Sequence, residues 1–291
     1  MDLHQLCHHA IEAAKRAGAT INHYRERQVR IDHKEGAGSE AAQVVTEVDH
    51  KAQRTIIDTL TPTLGQYDLA LLAEESEDDG RRLSRPAFWC IDPMDGTLAF
   101  VRNSQGYAVS IALVARTGEP LIGVVYDPLN KDLYYAIKGG GAFRNHQPLA
   151  PPPLDRNAPL VLRTDISFEN HRLLAPTRRG LEKISTTLGL HGAAVEFHIG
   201  AVMNALSVVN QPNHCYFKYP RADNKGGSLW DYAATACLLS EAGAIACDSY
   251  GEPMELNRPD STFMNHRGII CSPNRELADR IIDFNRTLEK R

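Results

Sequence analysis

Asp92 and Asp95 flank Pro93 in the run Ile91-Asp92-Pro93-Met94-Asp95-Gly96-Thr97, which closes an apolar stretch. A second acidic pair, Glu74-Glu75, follows Leu71-Leu72-Ala73, and a fifth acid, Asp231, opens Trp230-Asp231-Tyr232-Ala233-Ala234. Each sits where a strand-like run ends or a helix-like run begins, so all can gather at one edge of a sheet. Hard oxygen donors collected without a matching lysine or arginine cluster suit Mg²⁺. Two such ions sharing carboxylates suit the attack of water on a phosphate ester. Gly96 lets the backbone pass close to a ligand. The N–H groups of Gly96 and Thr97, at the opening of a helical turn, suit a phosphate oxygen. The Thr97 hydroxyl is placed to orient a water.

Each run alone has a plainer account. An Asp-rich turn can simply cap a helix, and aspartate is a preferred N-cap, which covers Asp231 as well. Paired acids usually mark a solvated loop, the expectation for Glu77-Asp78-Asp79. It is the three runs together, in this order, that point to chemistry.

The elements that must position them follow from periodicity. Leu6, Ala10, Ile11, Ala14, Ala17 and Ile21 recur at helical spacing over Leu3–Tyr24. Ile31 to Gln43 reads as a polar loop, and a second helix after Thr46 carries the stripe Val48, Ala52, Ile56 and Leu60. Asp68–Leu72 reads as a strand delivering Glu74 and Glu75. Ala87–Ile91 reads as the next strand, with Pro93 ending it at Asp92. Tyr107–Ala115, Leu121–Tyr126 and Asp132–Lys138, joined by short turns, predict an antiparallel meander. Pro151-Pro152-Pro153 is stiff and extended and marks the expected boundary between residues 1–150 and 151–291. Beyond it helices are expected at Arg178–Leu188, Val202–Val209, Asp231–Ala242 and Asn274–Leu288. Strands are expected at Leu160–Arg163, Cys215–Lys218, Ala244–Cys247 and Gly268–Cys271.

Bulk properties exclude several classes. The 291 residues carry a net charge of −4, which argues against a nucleic-acid polymer as partner. No apolar stretch approaches the roughly 18 residues of a membrane span. Met1-Asp2-Leu3-His4-Gln5 lacks the form of a signal peptide, so a cytoplasmic location is expected. The six cysteines have no C-x-x-C spacing and read as reduced, small hydrophobes.

Val45-Thr46-Glu47-Val48-Asp49, Glu74-Glu75, Trp89-Cys90-Ile91-Asp92-Pro93-Met94-Asp95-Gly96-Thr97 and Trp230-Asp231-Tyr232-Ala233-Ala234 together resemble the inositol monophosphatase superfamily. Gly123-Val124-Val125-Tyr126-Asp127-Pro128 and Gly139-Gly140-Gly141-Ala142-Phe143 are similar to that family's middle section. The resemblance implies a layered α/β sugar-phosphatase fold: an α+β N-terminal half, an α/β C-terminal half and the active site between them. It implies that Glu74, Asp92 and the Met94 carbonyl hold one Mg²⁺. Asp92 is shared with a second ion completed by Asp95 and Asp231, and Glu74 also serves a third, looser one. By the same resemblance Asp49 and Thr97 position and deprotonate the attacking water with Glu74 beside them, and Glu75 tunes the ligands. Gly96, Thr97, Gly200 and Ala201 lie against the substrate. Lithium inhibition and a homodimer are expected on the same ground.

Substrate choice is less legible. Leu98-Ala99-Phe100 matches neither the inositol enzymes nor the bisphosphate nucleotidases. Lys218 stands near the place where the inositol enzymes put an acid. With Arg221 and Lys225 it is either a solvated basic loop or a site for a second anionic group. A small phosphate ester such as an inositol monophosphate is the first expectation and a 3′-phosphorylated adenosine nucleotide the alternative. Two other readings are weighed. Asp95-Gly96-Thr97-Leu98 invites comparison with haloacid-dehalogenase-like phosphatases, but Asp92 and Asp95 are one residue too far apart for Asp-x-Asp. A catalytically silent metal-binding scaffold would lack a ligand or a water-positioning residue, and none is missing.

Overall fold

The computed structural model describes residues 1–25, 31–33, 44–223 and 225–289. Helix α1 (Leu3–Tyr24) is capped by Asp2, whose carboxylate accepts from the Gln5 N–H at 3.0 Å. Leu6, Ala10, Ala14, Ala17 and Ile21 form its buried face, as the spacing predicts. Strands β1 (Ile31–His33) and β2 (Val44–Thr46) pair antiparallel. β1 falls within the stretch Ile31 to Gln43 that reads as a loop, so residues 31–33 are strand where a loop is expected, and 34–43 lie outside the described residues. Helix α2 (Glu47–Tyr67) starts at Thr46, with Val48, Ala52, Ile56 and Leu60 buried.

A seven-stranded sheet follows in sequence order: β3 (Ala70–Ala73), β4 (Ala87–Asp95), β5 (Ala108–Ala115), β6 (Pro120–Asp127), β7 (Asp132–Ile137), β8 (Gly141–Arg144) and β9 (Gln147–Pro148). Only β3 and β4 are parallel. The short helix α3 (Thr97–Val101) leaves the end of β4. The five-stranded sheet has the order β11 (Ala193–His198), β10 (Leu160–Asp165), β12 (His214–Lys218), β14 (Ile269–Ser272), β13 (Ile245–Cys247), the first three parallel. Helices α4 (Leu174–Leu188), α5 (Ala201–Asn210), α6 (Leu229–Glu241) and α7 (Arg275–Glu289) complete it. The triple proline lies in the connection between β9 and β10.

Strand alternation sorts the core into layers. Trp89, Ile91, Val109, Ile111 and Val124 face α1 and α2. Phe88, Cys90, Ala112 and Val125 face α5 and α6 on the other side. The same two helices cover Tyr216, Ile269 and Cys271 of the second sheet. Leu162, Cys215, Phe217 and Ile270 pack under α4 and α7. The order is therefore α, β, α, β, α, with α5 and α6 shared by both sheets. Gly123 permits that sharing, since a Cβ there would lie 2.3 Å from the Ala234 carbonyl oxygen of α6.

Three expectations need correction. Pro93 does not end β4: pairing with β5 resumes at Asp95 after a register shift between Asp92 and Asp95, so the proline sits in a bulge where no ladder N–H is required. Glu77-Asp78-Asp79 is not simply solvated, because Asp78 pairs at 2.7 Å with the buried Arg82 guanidinium. Strands β1, β2, β8, β9 and β11 are absent from the sequence reading: the first four are short, and β11 is a half-buried edge strand without clean alternation.

Candidate active site

The bulge of β4 is where the site begins. Asp92 turns back to accept from the Met94 N–H at 2.9 Å, which holds both Asp92 and Asp95 at the strand end. β3 runs parallel to β4, and one further bond, Glu74 N–H to the Ile91 carbonyl at 3.1 Å, carries Glu74 alongside Asp92. The Glu74-Glu75-Ser76 turn is fixed from α2 by Gln53, a buried residue. Its side-chain oxygen accepts from the Glu75 N–H at 2.9 Å, and its nitrogen donates to Ser76 at 2.8 Å.

Asp231 arrives from the far side of the fold. It is the third residue of the α6 turn rather than its N-cap: Ser228 takes that position, and Asp231 accepts from the Ser228 N–H at 2.5 Å. Ser110 of β5 donates to the Trp230 carbonyl at 3.1 Å and ties this turn to the first sheet. The result is one carboxylate oxygen each from Asp92, Asp95 and Asp231 within 4.8 Å of one another.

Asp49 and Thr97 complete the cluster. Thr97 donates to Asp49 Oδ1 at 2.8 Å, with the Met94 carbonyl at 3.2 Å as a second acceptor. The other oxygen of Asp49 accepts from the Thr46 N–H at 2.8 Å and its hydroxyl at 2.6 Å.

The loops approach closely because three glycines meet. Gly96 and Gly200 both have positive φ, and a Cβ on Gly96 would lie 2.6 Å from the Gly106 carbonyl oxygen. One on Gly200 would lie 2.0 Å from the same oxygen and 3.0 Å from Asp95 Oδ2. Gly200 thus lets the start of α5 close on Asp95, whose two oxygens accept from the Ala201 and Val202 N–H groups at 3.1 and 2.9 Å. The Ala201 amide is therefore engaged by a carboxylate of the site itself.

Lys218 is not part of a solvated loop. It ends β12 with its ammonium 2.6 Å from Asp165 and the ring of Tyr232 at 5.7 Å. Arg221 is exposed and bound in a two-point pair with Asp223, and Lys225 is exposed.

Electrostatics mark the cluster as a place for a cation. Burial lifts Asp92 well above the usual carboxylate range, and the charges of Glu74, Asp95 and Asp231 lift it further. Burial and then Asp231 do the same to Asp95 against the Val202 and Ala201 amides. Asp231 is pushed up to about 7, by burial first and Glu74 second, with Lys218 opposing. Burial also raises Asp49, while Thr46 and Thr97 pull it down. Desolvated oxygen donors that repel one another and have few internal counter-charges fit a hard divalent cation. A cavity of about 280 Å³ between α4 and β11, lined by Arg178, Glu182 and apolar neighbours, holds no comparable set.

A model of the inositol monophosphatase family matches residues 2–288. The chain belongs to that family. Inositol monophosphatase 2 of Homo sapiens is 31% identical, over 85% of this chain and 81% of that protein. The 3′(2′),5′-bisphosphate nucleotidase CysQ of Aggregatibacter actinomycetemcomitans is 28% identical, over 88% of each. The crystal structure of extragenic suppressor protein suhB from Bartonella henselae superposes with a TM-score of 0.75 at 21% identity, covering 97% of this chain and 98% of that one. The chain thus has the inositol monophosphatase fold, and membership makes it a phosphatase, a phosphoric monoester hydrolase, of a metal-dependent family. Among the described residues no helix is long and apolar enough to cross a membrane.

Sequence reasoning missed Asp165, Gln53 and Gly106. Asp165 had a signal, since it closes the apolar run Leu160–Leu162 as the other acids close theirs. Gln53 had none: a glutamine on the inner face of a helix reads like any polar interruption.

Proposed function

We propose that the protein is a Mg²⁺-dependent phosphomonoesterase that hydrolyses a small soluble phosphate ester, an inositol monophosphate foremost, without a covalent intermediate. The observation that carries this reading is the meeting of Asp92, Asp95 and Asp231 within 4.8 Å, beside the Thr97–Asp49 pair. Glu74, Asp92 and the Met94 carbonyl are the donors for one ion, and Asp92, Asp95 and Asp231 for a second. Bound ions would supply the positive charge that polarises the phosphate and stabilises the leaving oxygen. With its own proton directed at Asp49, the Thr97 oxygen is free to accept one from an attacking water, and Asp49 takes up the proton that Thr97 gives away. The Gly96 and Thr97 amides face the phosphate oxygens, Gly200 and Ala201 flank the ester, and Glu75 steadies the Glu74 turn. Six reduced, buried cysteines support a cytoplasmic location, and a homodimer belongs to the same proposal.

A bisphosphate nucleotide is the second reading, favoured by the likeness to the CysQ nucleotidase and by Lys218. Weighing against it, Lys218 and Arg221 are already paired with Asp165 and Asp223.

Phosphate release from inositol 1-phosphate and adenosine 3′,5′-bisphosphate, with Mg²⁺, EDTA or added Li⁺, tests the proposal. Mg²⁺-dependent, lithium-inhibited release favouring the inositol ester is expected. Preference for the bisphosphate installs the second reading. Turnover undiminished in EDTA, or a trapped phosphoaspartate, overturns both.

A further inference from the structure

We propose that Ser110 and Gly123 together set the metal site's choice of ion. They seat α6 on the first sheet, and the seat holds Asp231 at a distance from Asp92 that suits a small divalent cation. The proposal rests on the phosphomonoesterase reading and names what makes the metal site of that reading selective.

The two halves of the acid cluster come from different elements. Asp92 lies near the end of β4, and Asp231 lies in the first turn of α6. Backbone bonds hold that turn from outside. The Leu229 N–H donates to the Thr262 carbonyl and the Met264 N–H to the Gly227 carbonyl, both at 2.9 Å. On the side toward Asp92, the turn meets the sheet.

Ser110 stands directly opposite Asp92 in the β4–β5 ladder, so both side chains leave the same face. It is buried, and its hydroxyl donates at 3.1 Å to the Trp230 carbonyl, one residue before Asp231. Ala234 lies one helical turn further along α6. Its carbonyl oxygen meets the sheet at Gly123, where a Cβ would stand 2.3 Å away. Gly123 pairs with Ala112, two residues along β5 from Ser110. Its φ is not in the left-handed region, so the approach of α6, and not the backbone, demands glycine there. One carbonyl is drawn in by a hydrogen bond, and the next is admitted by a missing side chain. α6 is thus located on the sheet at two points, one of them adjoining a proposed ligand.

Mg²⁺ takes oxygens at about 2.0–2.1 Å and Ca²⁺ at about 2.3–2.6 Å. Two donors to one Mg²⁺ are therefore at most about 4.2 Å apart, whereas Ca²⁺ accepts about 5 Å. Gly123→Ala needs roughly 1 Å more room to reach an ordinary C···O contact of about 3.3–3.6 Å. α6 supplies that room by moving outward with Asp231. A displacement of this size matches the difference between the two ions. Ser110→Ala removes the inward pull without adding bulk and acts in the same direction.

The test is calorimetric titration with Mg²⁺ and with Ca²⁺, read as the ratio of the two dissociation constants for the ion that Asp231→Asn eliminates. Because both constants come from one preparation, the ratio is independent of how much of a variant is folded. Gly123→Ala is expected to shift the ratio toward Ca²⁺ by roughly 10- to 100-fold, the range for disturbing an outer support of a metal ligand. Ser110→Ala is expected to shift it the same way by less, and it decides the matter if Gly123→Ala does not fold. Val125 lies opposite Ser110 on β6 and packs in the same core layer. Val125→Ala is expected to lower the melting temperature and leave the ratio unchanged. An unchanged ratio in Ser110→Ala, or equal losses of both ions, overturns the inference and leaves the phosphatase reading standing. So does a shift in Val125→Ala as large as that in Ser110→Ala, which would reduce the seat to general packing. Wild-type protein that binds neither ion overturns the reading beneath it as well.

Discussion

Thr97 donates to Asp49 at 2.8 Å across 48 residues of sequence, and this bond gives one carboxylate two tasks. One oxygen of Asp49 closes the α2 cap against Thr46. The other faces the acid cluster. The cap that starts the helix therefore also fixes the direction of the base.

Removing either member of that pair is expected to cost turnover and spare the metal site. Asp49→Asn and Thr97→Val should each lower kcat by roughly 10²- to 10³-fold, the range for a positioned general base. Calorimetric Mg²⁺ binding should stay within a few-fold of wild type, because neither residue is among the donors assigned to an ion. A variant that keeps more than about a tenth of kcat would remove the pair from the proton path.

The raised carboxylates set a pH dependence whose sign reverses with metal. An unfolded aspartate loses its proton near pH 4, whereas Asp231 in the folded, metal-free protein holds its proton up to about 7, and Asp92 and Asp95 are raised too. Between those limits the folded state binds more protons, so this contribution to stability is complete below pH 4 and is lost as pH rises through 7. In EDTA the melting temperature should therefore fall by roughly 5–10 °C from pH 5 to pH 8. With Mg²⁺ the ligands must be deprotonated, so stabilisation by the ion should grow over the same interval. Melting curves with and without Mg²⁺ check this, and a metal-free protein that gains stability with rising pH would contradict it.

Gln53 acts on Glu74 through the turn it clamps. Gln53→Ala should weaken Mg²⁺ binding by roughly 10-fold, the usual effect of losing an outer support of a metal ligand. Because the lesion is in the ligand's placement, saturating Mg²⁺ should restore most of kcat. Activity measured against Mg²⁺ concentration distinguishes this from a loss that no amount of Mg²⁺ repairs, which would place Gln53 elsewhere in the mechanism.

What the sequence made legible follows from how locally each feature is encoded. The α1 and α2 stripes are short-range patterns, and the structure reproduces them. Pro93 misled because a missing N–H is harmful only where the ladder needs one, and a bulge does not. Strand β11 stayed hidden because Ala193–His198 is an edge strand, half-buried on both faces, with no alternation to detect. The Asp165–Lys218 pair joins residues on two strands that are adjacent only once the sheet order is known. From the chain alone Lys218 is a loose cation. In the fold it is half of a neutral unit.

Arg82 gives the sharpest stability test, because it joins distant parts of the chain from a buried position. Its side chain is 2% exposed, pairs with Asp78 at 2.7 Å and donates to Asn257 Oδ1 at 2.6 Å and the Arg258 carbonyl at 2.8 Å. Asn257 in turn donates to the Arg116 carbonyl at 2.9 Å, so the loop after β13 is held against the first sheet by this guanidinium together with Asn257. Arg82→Ala leaves Asp78 and two further acceptors without their donor, and breaking such a pair from one side costs about 3–5 kcal/mol. Asp78 keeps some water, at 26% exposure, which places the expected loss toward the lower end. Arg82→Lys restores the charge but not the planar fork that serves three acceptors at once, and should recover only part of the loss. Urea unfolding should show the midpoint falling in the order wild type, Lys, Ala with little change in slope. An Arg82→Ala protein within about 1 kcal/mol of wild type would mean that the contact behaves as an ordinary surface ion pair, and that the loop is held by its apolar anchors Met254, Leu256 and Met264.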